Sequence, residues 1–136
     1  MQIFGENASQ SLVARLEACG WFPDRIASTE SYATKLQKWY GITMHARAHT
    51  FLQQFGGLSV RATGSESFML IPTKIRTSQG KGHLSWDDPS LYPIGYCRDG
   101  TILLINTSGN TFLYWDYLQT FARNEFQTLI RLTGGN

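Results

Sequence analysis

The chain has 136 residues, of which 42% are hydrophobic and 16% charged, with a formal net charge of +2. This composition suits one globular domain and excludes wholesale disorder, because a disordered chain is poorer in aromatics and richer in charge. The small net charge gives no general sign of a nucleic-acid protein, and no uncharged run approaches the roughly 20 apolar residues that cross a bilayer.

The opening MQIFGENASQ lacks a basic start, an apolar run and a small-residue cleavage site. No secretory leader is read there, and a cytoplasmic location is expected. From Ala8 to Cys19, Leu12, Val13 and Leu16 share one helical face, with Ser9 as cap and Gly20 as stop. A turn over Trp21 to Arg25 follows, fixed by Pro23. The next helix is expected over Glu30 to Tyr40, capped by Thr29 and ended by Gly41, with Tyr32, Leu36, Trp39 and Tyr40 inward. A third, from about Met44 after Thr43, aligns Ala48, Phe51, Leu52 and Phe55 in one stripe before Gly56 and Gly57 break it.

At Leu58 the period changes from helical to alternating. Leu58, Val60 and Ala62 against Ser59, Arg61 and Thr63 predict a half-buried strand, and Gly64 to Ser67 a hairpin turn into a second strand, Phe68 to Ile75. Pro72 within that strand argues for an edge or a bulge. Residues Arg76 to Pro93 form the longest irregular stretch, of a length that commonly carries function. Three short antiparallel strands are then predicted, Ile94 to Cys97, Thr101 to Asn106 and Thr111 to Trp115, with turns at Asp99-Gly100 and Ser108-Gly109-Asn110. A final helix after Asn124 carries Phe126, Leu129 and Ile130 on one side. Three helices, a mostly antiparallel sheet and a closing helix predict an α+β domain.

Charge is unevenly spread along the chain. Lys35 to Lys81 holds seven basic residues and one acid, a net of +6, while Gly82 to Glu125 holds five acids and two basic residues, a net of −3. Sequence blocks need not become spatial patches. Cys19 and Cys97 are too few and too far apart for a disulfide framework and read as buried or half-buried thiols.

Catalytic chemistry is poorly represented. His45 and His49 lie one turn apart, as a metal pair would, but Ala46 occupies the position where a zinc hydrolase carries its glutamate base. Asp87 and Asp88 are adjacent acids in a loop, whose side chains diverge unless the backbone forces them together. Cys97, His83 and Asp99 supply thiol, base and carboxylate without a nucleophile motif around the cysteine. Gly56-Gly57 leads from helix to strand, the wrong order for a phosphate cradle. No catalytic residue, metal, cofactor or small-molecule substrate is therefore expected.

Three short motifs occur in order: Gly20-Trp21 with Pro23 and Arg25, then Phe51-Leu52 with Phe55-Gly56-Gly57-Leu58, then Tyr92-Pro93-Ile94-Gly95. Together they resemble the SUKH superfamily, particularly its third subgroup of bacterial immunity proteins, over roughly Leu12 to Leu132. The resemblance implies one SUKH-like domain over residues 1–136. It also implies a protein that binds a cognate toxin of a polymorphic toxin system, often a nuclease or deaminase, and inhibits it stoichiometrically without turnover. A protein-interaction or scaffold domain is the alternative. The motif residues read as structural, so partner choice is expected from exposed residues outside the core pattern. Trp86, Asp87 and Asp88, with Asp99 and Asp116, would form an acidic surface suited to a basic substrate groove. A basic surface at Lys35, Lys38 and Arg47 is the competing choice. Neither a membrane nor a nucleic acid is expected as partner.

Overall fold

A computed structural model describes residues 1–61, 67–75 and 86–134. The chain opens on a hairpin of β1 (Gln2–Ile3) and β2 (Glu6–Asn7), which hydrophobic periodicity does not foretell. Phe4 and Gly5 turn it at φ 52° and 79°, the pair of positive values that a type I′ two-residue turn requires. A left-handed phenylalanine is uncommon. Here its ring stacks on Phe51 at 6.0 Å and meets Phe55 at 5.8 Å, so core packing holds the turn.

Three helices follow. In α1 (Gln10–Ala18) the Ser9 hydroxyl accepts the Leu12 amide at 3.0 Å, as the capping pattern predicts, and Leu12 and Leu16 are buried. Helix α2 (Glu30–Tyr40) keeps its predicted bounds and ends at left-handed Gly41, but Thr29 makes no capping bond. Its hydroxyl instead pairs with Nδ1 of His49 at 2.9 Å, which draws the start of α2 to α3. Helix α3 (Ala46–Phe55) begins two residues later than predicted because His45 caps it, Nδ1 accepting the Ala48 amide. The predicted stripe is buried in full: Ala48, Phe51, Leu52 and Phe55 are all 0% exposed.

The main sheet is an antiparallel meander of six strands in chain order: β3 (Ser59–Val60), β4 (Phe68–Met69), β5 (Tyr92–Cys97), β6 (Ile102–Ile105), β7 (Thr111–Tyr114) and β8 (Leu118–Ala122). The predicted strand Phe68 to Ile75 is cut short. After Met69 the chain turns into a 3₁₀ helix at Pro72–Lys74, with Pro72 at its start where the missing amide leaves no bond unmade. Ala62, Thr63 and most of the predicted hairpin turn, and residues 76–85 of the long irregular stretch, lie outside the described residues. Strand β8 was not predicted; its outer residues are exposed and carry little apolar alternation. Helix α4 (Glu125–Leu132) closes the chain, its cap made by Asn124, whose side chain accepts the Gln127 amide at 2.8 Å.

Two apolar clusters sit on opposite faces of the sheet. The larger packs α1, α3 and α4 against Leu70, Tyr92, Ile94, Leu103 and Ile105. The smaller holds Ile75, Trp86, Leu91, Ile102 and Leu104 on the outer face. All four residues of β6 are consequently buried, which explains its unbroken Ile-Leu-Leu-Ile run. Tyr92 and Ile94 both face the larger cluster by ordinary strand alternation, and a bulge between Pro93 and Gly95 shifts the β5 register against β6. The sheet is strongly curled: the rings of Phe68 on β4 and Phe121 on β8 lie 6.4 Å apart, although four strand spacings would place those strands about 19 Å apart in a flat sheet.

Candidate partner-binding surface

The motif residues hold the fold together by specific contacts. The Trp21 ring stacks on Phe55 at 5.8 Å and is 5% exposed. Arg25 donates to the carbonyls of Gln54 and Gly56 at 2.7 and 2.8 Å, so the loop containing Pro23 is tied to the last turn of α3. A side chain at Gly56 would collide with the Leu52 carbonyl, and Gly57, at φ 88°, sends its amide to Leu70. On the sheet, a Cβ at Gly95 would lie 2.9 Å from both Leu70 and the Met69 carbonyl, so only glycine lets β4 and β5 approach there. Tyr92 is buried, Pro93 sits at the bulge, and Leu58 packs half-buried against the larger cluster.

Two turns share one end of the sheet. Ile102 stands opposite Tyr114, so the turn before β6 and the turn after β7 lie side by side. In the first, Asp99 accepts the Thr101 amide at 2.9 Å and Gly100 takes φ 99°. In the second, the rings of Trp115 and Tyr117 meet edge to face at 4.8 Å on either side of Asp116. Trp115, Tyr117 and Leu118 are 41%, 56% and 42% exposed, high for large apolar side chains. Asp99 and Asp116 are exposed beside them.

Trp86 does not have the exposure expected of it. It is 5% exposed, its indole N–H donates to the Leu91 carbonyl at 3.3 Å, and its ring meets Tyr114 edge to face at 6.1 Å. It belongs to the outer cluster, while the two acids that follow it reach solvent. Asp87 and Asp88 are exposed, and Asp88 accepts the backbone amide and hydroxyl of Ser90 at 2.9 and 2.8 Å, bonds that hold its carboxyl below the usual range. The exposed aromatics of this surface are thus Trp115 and Tyr117, which sequence reading had placed at and beyond the end of a strand. The Trp-Asp-Tyr run at the end of the predicted strand Thr111 to Trp115 is the available signal.

The basic alternative loses one member. Arg47 donates through Nε and Nη2 to buried Glu125 at 2.5 and 2.7 Å, which holds its guanidinium above the ordinary range and neutralises it. A side chain at Gly109 would strike both partners. His45 and His49 face different neighbours: Nε2 of His45 bonds the Ile105 carbonyl at 3.0 Å, while His49 holds Thr29. Cys97 is buried and Cys19 half-buried, and His83 lies outside the described residues. Among the described residues no three His, Cys, Asp or Glu side chains gather as a metal site would need, and no helix is long and apolar enough to cross a membrane.

Fold and surface together describe an α+β protein that holds one sheet end, rich in aromatics and carboxylates, open to solvent. The chain matches the SUKH-3 immunity protein family over residues 8–135, nearly its whole length, and it belongs to that family. No curated protein and no solved structure matches it.

Proposed function

We propose that the protein is a cytoplasmic immunity factor that neutralises a cognate protein toxin of a polymorphic toxin system by binding it stoichiometrically, as one domain over residues 1–136 and without turnover. Family membership over residues 8–135 carries this reading. The docking surface is the sheet end bearing Trp115 and Tyr117 with Asp99 and Asp116, extended by Asp87 and Asp88. Exposed aromatic rings on a rigid hairpin supply contact area at little conformational cost, and the carboxylates suit the basic groove of a toxin that acts on nucleic acid. Trp86 supports this surface from beneath through its contact with Tyr114.

Co-expression with the product of the neighbouring upstream gene tests the reading. A one-to-one complex that restores growth is expected. Cells that die equally fast with and without the protein would overturn it, and a complex that gives no protection would favour an adaptor role instead.

A further inference from the structure

The outer face of the sheet is open where the Trp86 cluster ends. A groove of about 1060 Å³ lies there across β3, β4 and β5. Its floor follows from register: Ser59 pairs with Met69 and Met69 with Tyr96, so these three side chains form a row across three strands. Met69 and Tyr96 are half-buried, and Ile75 closes the row as a buried apolar wall. Arg61, Lys74 and Arg98 are exposed around it, and Ser67 and Thr73 add hydroxyls. Among the described residues no acid lines the groove, and none of the three cations is in an ion pair.

Three cations with no ion pair among the described residues, set around an apolar floor, fit an anion that also carries hydrocarbon. Nucleic acid fits less well. Its charge is continuous, and a strand leaving the groove past Arg98 and Gly100 would run beside Asp99 and then Asp116 at the same sheet end. A peptide can place carboxylates opposite the cations and nothing charged opposite the aspartates. The groove's size, at the upper end of ligand pockets, accommodates several residues. We infer that this groove captures an acidic, extended segment of a partner polypeptide, its carboxylates on Arg61, Lys74 and Arg98 and an apolar side chain seated over Met69 and Tyr96.

The inference goes beyond the immunity reading and is tested without a toxin. The purified chain is titrated at low salt with a labelled short peptide of glutamate and aspartate bearing one central leucine. Parallel titrations use the same peptide with glutamine and asparagine, and a single-stranded oligonucleotide. Binding of the acidic peptide is expected to weaken as salt rises, and about tenfold or more on combining Arg61→Glu, Lys74→Glu and Arg98→Glu. All three positions are exposed, so an unchanged thermal melt should accompany that loss. Equal binding by the variant, no binding of the acidic peptide at low salt, or tighter binding of the oligonucleotide would each overturn the inference. Protection in cells is a separate readout: its failure would remove the immunity reading and leave peptide capture standing.

Discussion

Among the described residues the buried Tyr92 hydroxyl finds no hydrogen-bond partner, while its ring fills the larger cluster and meets His45 edge to face at 6.2 Å. An unpaired buried hydroxyl forfeits its bonds to water, so Tyr92→Phe should leave stability unchanged or raise it by about 1 kcal/mol. Burial also pushes the phenol's ionisation above its ordinary value. The fold therefore favours the neutral form. That stabilisation is complete below about pH 10, where the unfolded phenol begins to ionise, and declines as pH climbs above it. Thermal melts of both proteins at neutral and strongly alkaline pH should show the native chain losing more stability than Tyr92→Phe. An equal loss would mean that this ring does not set the alkaline limit. Position 92 was legible as part of a motif, but its missing partner was not, because sequence does not reveal which polar atoms find one another. The burial of Trp86 is illegible for a different reason: with no periodicity in the stretch around it, nothing in the sequence indicates that it folds back onto Tyr114.

Among the elements, those legible in advance carried both a period and a stop signal. Helix α3 had its stripe and two glycines, β6 had a glycine turn at either end, and β7 had one before it. Strand β8 had neither. It is held from outside its own sequence by Arg131 of α4, which donates to the Phe121 carbonyl at 2.9 Å and lies over the Phe121 ring. The loop after α1 depends on a similar remote tie. Arg25 is the only link in that loop whose charge meets the carbonyl end of α3, where the helix dipole favours a cation. Arg25→Ala should cost about 1–3 kcal/mol through two lost charge-assisted bonds. Arg25→Lys should recover only part, since an ammonium cannot reproduce the guanidinium fork that spans Gln54 and Gly56. Chemical denaturation of the three proteins would measure this, and full recovery by lysine would show that charge alone, without geometry, secures the loop.

At the scale of the molecule, the charge blocks of the sequence do not stay together among the described residues. The basic middle block divides: Lys35 and Lys38 stay on α2, Arg47 is spent on Glu125, and Arg61 and Lys74 meet Arg98 from the acidic block around the groove. The acidic block contributes Asp99, in the same turn as Arg98 and Gly100, and Asp116 to the sheet end. A partner that met this end would feel carboxylates at long range and aromatic rings only at contact, so the two sets should act on different steps. Asp99→Asn keeps an oxygen for the Thr101 amide and so keeps the turn. Combined with Asp116→Asn, it should slow association with the toxin several-fold at low salt and flatten the salt dependence, with dissociation little changed. Trp115→Ala should do the reverse: association nearly unchanged and dissociation faster by about tenfold or more, as for an aromatic anchor. Rapid-mixing kinetics across a salt series would separate the two. If both variants left both rates as they were while the complex still formed, the toxin would be docking on another face of the protein, and the groove beneath Arg61, Lys74 and Arg98 would be the next surface to reverse in charge.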